Sequence, residues 1–436
     1  MRNSVKWGRM KILVVGSGGR EHALVWKILQ SPLVSQVFCT PGNAGIAQIC
    51  ECLSGEPVEI ARKVGADFVV VGPDGALADG VVDRLNAAGF AAFGPTQSAA
   101  RLESSKIFTK ELLQKYGIPS AQFASFDNAA SAKTYLESLP DGPIVVKADG
   151  LAVGKGVVVA ENRAQAIVGV DEVLGIASST VAGDLGRVVI EEFMTGEEIS
   201  FFALSDGQEL LPLIEVQDHK RVFDGDNGPN TGGMGCYSPV PSFSPSLRET
   251  VIETILKPTL EGLKSEGVDF RGVMYCGLML TENGPKVVEY NARFGDPECQ
   301  LLMPLMKSDI VPVLLASARV GLQKLADFEL EWSEQAAVIV VLAAQGYPAT
   351  PRKGDAISGL EAVDDALVFH AGTKADGEKI VTNGGRVLGV VGMGDNFVGA
   401  REKAYRGVDR IGFEGAHFRR DIGWRAVDEG KQSRGQ

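Results

Sequence analysis

Along the chain, short apolar runs alternate with longer segments whose apolar residues recur at helical spacing. Residues 12–15 are apolar without interruption, a glycine-rich turn follows, and His22, Val25, Trp26 and Leu29 then fall three and four apart. That reads as strand, turn, helix. Strand-like runs return at 37–40, 68–71 and 91–93, separated by helix-length stretches such as 76–88. This is the pattern of a parallel doubly wound sheet, and the α/β unit it predicts spans 10–103. From Ser104 the texture changes to a helix over 106–116, then runs at 144–147 and 156–160 that predict antiparallel strands joined by a mobile glycine-rich turn. Further strands are expected at 188–193, 199–204, 273–280 and 286–290, with a Gly/Asn/Pro loop over 224–235. Loops of that length in compact domains are usually functional or disordered. The last segment has β-rich runs at 337–342, 366–370 and 385–391 and reads as a small α+β domain. The polar tail after Trp424 is expected to fray.

A chain of 436 residues is too long for one ordinary core, and the length favours roughly two to four domains. Hydrophobic residues at 45% and charged residues at 22% match a globular enzyme. The net charge of −12, with no dense Lys/Arg block, argues against a nucleic-acid partner. The six cysteines form no CxxC pair and no zinc-ligand spacing with histidine, so they read as reduced, mostly buried thiols. The longest apolar run, 336–344, is about half the length a membrane-spanning helix needs. The basic residues before Met10 precede no apolar signal stretch. These features predict a cytoplasmic protein with no membrane partner.

Three glycine-rich turns fall after successive strands of the first unit. Gly16-Ser17-Gly18-Gly19-Arg20-Glu21 opens a helix, whose backbone N–H groups and positive end suit a phosphate. An NAD fold would want glycine where Glu21 stands and an acidic residue ending the second strand, which runs instead into Thr40-Pro41-Gly42-Asn43. A phosphate site without NAD is preferred, with a structural turn as the alternative. Pro41-Gly42-Asn43-Ala44-Gly45 and Gly72-Pro73-Asp74-Gly75 lie on the same carboxyl edge, where open sheets bind ligands, although each is equally readable as an ordinary turn.

Lys147-Ala148-Asp149-Gly150-Leu151-Ala152-Val153-Gly154-Lys155-Gly156 is not a Walker loop, because no Ser or Thr follows Gly154-Lys155. A glycine hairpin flanked by lysines is suited to closing over a triphosphate. In Glu289-Tyr290-Asn291-Ala292-Arg293, extended geometry puts Glu289 and Asn291 on one face, where hard oxygen donors suit Mg²⁺. Arg293, two residues on, would offer a guanidinium to a carboxylate or a transferring phosphoryl group.

The strings GSGGREHAL, PGNAG, RLESSKIFTK, VKADGLAVGKGVVVA, QDHKR, GPNTGGMG, VVEYNARFGDPE, and HAGTK with GGRVLGV, occur in this order across about 10–424. In these motifs the chain resembles the phosphoribosylamine–glycine ligases of the ATP-grasp superfamily. The resemblance implies a multidomain α/β and α+β fold. An N-terminal substrate domain at 10–103 would precede an ATP-grasp domain at 104–325, with a nucleotide-clamping part at about 120–193, a C-terminal α+β domain at 326–424 and a tail at 425–436. ATP would be held by Lys106, Lys147, Gly154, Lys155 and Gly156, by a hinge of Glu191, Glu192 and Phe193, and by Glu198. Glu289 and Asn291 would hold Mg²⁺ or Mn²⁺. The sugar phosphate and glycine would meet Gly18, Gly19, Arg20, Glu21, Asn43, Ala44, Gly45, Asp74, Gly232, Gly233, Met234 and Arg293. Arg293, Lys147, Asp218 and Lys220 would serve catalysis, with His219 nearby. Two departures stand out: Asp74 occupies a place where the family more often has Glu, and 277–281 lacks the acidic metal ligand of many ATP-grasp enzymes.

The implied reaction joins glycine to 5-phosphoribosylamine through glycyl phosphate, with ATP as co-substrate, in a monomer. Rival readings are an ATP-grasp carboxylase acting on bicarbonate, a dinucleotide-dependent oxidoreductase and a catalytically silent nucleotide-binding regulator.

Overall fold

The computed structural model describes residues 9–151, 156–180 and 186–427. Its first unit is a five-stranded parallel sheet in the order Glu51–Cys52, Val34–Pro41, Met10–Gly16, Phe68–Val71, Ala92–Phe93. The central strands read as continuous apolar runs because helices cover both faces. The helix expected over 76–88 is two helices, Asp74–Ala78 and Val81–Ala87. Gly80 between them adopts φ +73°, left-handed backbone that ends one helix before the next begins.

Two antiparallel four-stranded sheets follow. One runs Phe123–Phe126, Val188–Glu192, Ile144–Ala148, Val157–Ala160 and carries the helices Ala129–Ser138 and Arg163–Thr180 over a core of its own, including Leu136, Val146 and Val170. The other runs Leu210–Pro212, Glu197–Asp206, Arg271–Thr281, Gly284–Asn291. The hairpin expected from the flanking lysine motif is present as Ile144–Ala148 against Val157–Ala160.

The fourth sheet departs from sequence order. The C-terminal sheet runs Gln217–Asp218, Gly235–Ser238, Ala336–Ala343, Arg386–Gly394, Leu367–His370, so two of its strands come from the middle of the chain. A boundary at 326 therefore does not divide the sheets. The loop expected over 224–235 is partly ordered as a hairpin, with Asn227–Asn230 paired to Arg221–Phe223. Of the tail expected to fray, 425–427 are packed, with Ala426 buried and Arg425 in an ion pair with Asp226, while 428–436 lie outside the described residues. Helices Gly19–Ile28, Glu298–Leu305 and Ile310–Ser317 share one buried cluster with strands of three sheets, which fixes the units against one another.

Candidate active site

A cleft of about 1490 Å³ opens between the two four-stranded sheets and is closed at one end by the C-terminal domain. Lys147 reaches it because a strand alternates its side chains: Val146 and Ala148 enter the core, while Val145 and Lys147 face the cleft. Glu191, opposite Val145 in the ladder, presents its carboxylate beside it. Its Oε2 pairs with Lys147 at 3.1 Å and with Lys110 at 3.2 Å, while its buried Oε1 has no hydrogen-bond partner. Burial pushes the Lys110 ammonium down to about 8, although Glu191 opposes the shift. Lys106 donates to the Gly150 carbonyl at 2.8 Å; burial lowers its pKa, and the Lys147 charge adds to that lowering. Cations in this state gain from an anion.

The opposite wall is the strand Gly284–Asn291. Tyr290 points inward, which turns Glu289 and Asn291 into the cleft. Lys147 Nζ donates to the Val288 carbonyl at 3.1 Å, so the lysine strand touches the Glu-x-Asn strand directly. Burial raises the Glu289 carboxyl, but Lys220, Lys147, Lys106 and Arg293 outweigh it, and the group is held below the usual range. Glu289 faces Gly277 across the ladder, where glycine leaves its carboxylate room.

Arg293 is clamped. Its guanidinium pairs with Glu103 at 2.9 Å and donates to Asn291 Oδ1 at 3.1 Å and to the Phe294 carbonyl at 3.3 Å. Glu103 accepts the Ala292 N–H at 2.8 Å, and burial raises its pKa against the pull of Arg293. Among the described residues no set of three or more His, Cys, Asp or Glu side chains is placed to hold a metal ion. The ionised Glu289 carboxylate and the Asn291 amide oxygen are nevertheless hard donors that fit a divalent cation completed by phosphate oxygens and water.

Deeper in, Lys220 contacts Glu198, and the anionic surroundings raise the Lys220 pKa above its ordinary range despite burial. Burial pushes Asp218 up to about 7; Glu298 and Glu198 add to the rise and Lys220 opposes it. Glu298, itself raised by burial, accepts the Tyr275 hydroxyl at 3.0 Å, and Tyr275 in turn exchanges a hydrogen bond with Ser200 at 2.7 Å.

The structure brings Lys106, Lys147, Gly156, Glu191, Glu192, Phe193, Glu198, Asp218, Lys220, Glu289, Asn291 and Arg293 to this one cleft, together with Arg20, Asp74 and Gly232. Glu192 pairs with Lys286 at 3.1 Å at its rim. Gly154 and Lys155 lie outside the described residues.

Several expected substrate residues do not line the cleft: Gly18, Gly19, Glu21, Asn43, Ala44, Gly45, Gly233 and Met234. Glu21 turns inward and caps its own helix by accepting the Gly18 N–H at 2.6 Å, and the first-turn Arg20 N–H meets Asp296 Oδ2 at 3.4 Å, so two carboxylates stand at the helix end expected to take a phosphate. That carboxylate occupies the space a side chain at Gly16 or Gly72 would need, which explains both glycines without a ligand. Asn43 spends its amide on Ser17 and His370 carbonyls, each at 2.8 Å, and accepts the Gly45 and Ile46 N–H groups. Met234 is fully buried in the C-terminal core.

Other cleft residues escaped the sequence reading. Lys110 sits one helical turn from Lys106, a spacing that could have flagged it. Glu103 and Arg386 lie within the strings RLESSKIFTK and GGRVLGV, but neither is assigned a role there. Arg386 contacts the Gly232 and Asp296 carbonyls and pairs with the Asp296 carboxylate at 3.4 Å.

Comparison with known proteins agrees with this geometry. The family models for the phosphoribosylglycinamide synthetase N domain, ATP-grasp (A) domain and C domain match 10–103, 104–299 and 337–425. The phosphoribosylamine–glycine ligase of Caulobacter vibrioides is 50% identical over 431 residues, covering 97% of this chain and 99% of its own. The crystal structure of a phosphoribosylamine–glycine ligase from Thermotoga maritima superposes with a TM-score of 0.81 at 37% identity, over 94% of this chain and 99% of that one. A biotin carboxylase from Campylobacter jejuni shares the fold alone, with a TM-score of 0.71 at 14% identity over 94% of this chain and 93% of its own. Matched along nearly its whole length, the chain belongs to the phosphoribosylglycinamide synthetase family, and its fold is the ATP-grasp fold.

Proposed function

We propose that this ligase joins glycine to 5-phosphoribosylamine at the expense of ATP, giving glycinamide ribonucleotide, ADP and phosphate in purine biosynthesis. The observation that carries the mechanism is the meeting of Lys147 with the Glu289 strand in one cleft. A glycine carboxylate oxygen attacks the γ-phosphorus of ATP. The bond to the bridging oxygen breaks, and glycyl phosphate and ADP form. The phosphoribosylamine nitrogen then attacks the glycyl carbonyl and phosphate leaves. Without that activation the leaving group would be oxide.

Lys147 and Lys106, poorly solvated and only partly neutralised, hold the phosphates and take up charge on the transferred group. Glu191, Glu192, Phe193 and Glu198 line the part of the cleft assigned to adenosine, where the free Oε1 of Glu191 accepts a donor. Arg293, fixed by Glu103, aligns the glycine carboxylate. Asp218, held near neutrality, is suited to take the proton the attacking amine releases. Glu289 and Asn291 would hold a divalent cation, Mg²⁺ by donor preference with Mn²⁺ accepted, which neutralises phosphate charge when bound. Since one chain supplies every wall of the cleft, a monomer suffices. No helix among the described residues is long and apolar enough to cross a membrane, and the cytoplasm is the proposed location.

An ADP-release assay with each substrate withheld in turn tests this reading. Release that requires both glycine and phosphoribosylamine is expected; equal release with bicarbonate in place of glycine would transfer the chain to the carboxylases.

A further inference from the structure

Away from the cleft, three of the six cysteines converge at the carboxyl edge of the N-terminal sheet. Cys39 and Cys52 are register partners on adjacent parallel strands, so their side chains project to the same face. Neighbouring strands lie about 4.8 Å apart, and the Cα atoms of a disulfide usually lie about 4.4–6.8 Å apart. Both side chains also converge on Gly42, whose φ of +73° and missing side chain make the space. A Cβ there would lie 2.3 Å from Cys52 Sγ and 3.7 Å from Cys39 Cβ.

The three thiols differ in access and character. Cys39 is buried and donates to the Gly16 carbonyl at 3.3 Å, whereas Cys50 and Cys52 are half-buried. The neighbouring Cys39 and Cys50 thiols and the Asn43 backbone hold the Cys52 thiol well below the ordinary thiol range, and in its protonated form Cys52 donates to the Cys50 carbonyl at 4.0 Å. Cys39 and Cys50 are pushed up in turn, by their interaction with Cys52 and by burial. Cys52 is thus the group of the three that carries thiolate character and reaches solvent. The trio is not placed to enclose a metal ion.

We propose that Cys52 is an oxidation site for hydroperoxides and that Cys39 is its resolving thiol. The Cys52 thiolate attacks one peroxide oxygen; the O–O bond breaks, hydroxide leaves, and Cys52 becomes a sulfenic acid. The Cys39 sulfur then attacks the Cys52 sulfur, the S–S bond forms, the S–O bond breaks, and hydroxide departs with the Cys39 proton as water. Two thiols lose two electrons, and the peroxide takes them up. The new bond closes the segment that contains Asn43, the residue tying the first domain's Ser17 turn to His370 of the C-terminal domain. Oxidation therefore acts on a joint between domains.

The test uses the full chain, hydrogen peroxide and no reductant, followed by alkylation and non-reducing peptide mapping. A Cys39–Cys52 linked peptide that dithiothreitol dissolves is expected. Cys39→Ser should instead accumulate a dimedone-reactive sulfenic acid at Cys52, and Cys52→Ser should slow peroxide consumption roughly tenfold. The mapping needs only the unaltered chain, so a variant that misfolds does not remove the test. A Cys50–Cys52 link, first oxidation at another cysteine, no change in alkylation, or stoichiometric zinc binding that protects all three would each overturn the proposal.

Discussion

Two charged regions flank the cleft and are wired in opposite ways. At the lysine end, one carboxylate oxygen of Glu191 serves both Lys110 and Lys147, the other oxygen has no partner, and burial depresses Lys106 and Lys110. Behind the hairpin of 221–230, Asp226 takes Arg419 at 2.8 Å and Arg425, while Asp421 takes Arg419 at 2.7 Å and the Gly225 N–H at 2.8 Å. Here cations and carboxylates satisfy each other, and the fully buried Arg419 guanidinium also donates to the Arg221 carbonyl at 3.0 Å. The contrast teaches that buried charge alone does not mark a ligand site. Charge left in surplus does, because an incoming anion or donor completes it, whereas a matched network is already complete and serves as scaffold.

Substitutions at the two regions should therefore fail differently. Glu289→Gln should lower kcat/KM roughly a thousandfold, about 4 kcal/mol of transition-state stabilisation, with unfolding unchanged. Steady-state ADP release and a urea titration measure the two halves of that expectation. Arg419→Met should do the reverse, costing about 3–5 kcal/mol of stability because it leaves Asp421 without its guanidinium partner and Asp226 with Arg425 alone. Its kcat should stay within about threefold once the protein is folded; a large loss of kcat at full folding would erase the distinction between the regions. Arg293→Ala should reduce kcat roughly a hundredfold while the KM for ATP barely moves. Near-normal turnover would refute its part in aligning glycine.

The smallest effect is a pH dependence. Because the folded Lys110 titrates near 8 against an ordinary 10.5, the burial penalty is present in full below pH 8. As the pH rises toward 10.5, the folded protein has released a proton that the unfolded chain still holds, so ligand-free stability rises. Between about pH 8 and pH 10 the wild type should gain on the order of 2 kcal/mol over Lys110→Met in urea midpoints. A flat difference would show that Lys110 keeps its proton.

Much of the site was legible where neighbours in sequence are neighbours in space. Glu289 and Asn291 share a face because residues two apart on a strand do, and Lys147 faces the cleft for the same reason. The parallel sheet and the glycine hairpin were legible from apolar runs and their punctuation. The expected substrate residues that the cleft does not include are held by contacts the pattern does not encode. The helix end at Gly18 looked open to phosphate because its cap, Glu21, reads as an ordinary polar residue until the side chain is seen folded back. Asn43 read as a substrate residue, yet its amide is consumed by a carbonyl 327 positions away.

Local patterning was enough to specify the elements, the family to which the chain belongs and the residue types the chemistry needs, because propensity, side-chain alternation and motif spacing all act over a few residues. Tertiary packing alone decided that strands near 217 and 235 complete a sheet begun at 336. It also decided that Glu103 braces Arg293 and that Arg386 ties a glycine loop to Asp296. Those outcomes depend on which distant surfaces exclude water together, and burial of that kind arises only when the whole chain has folded.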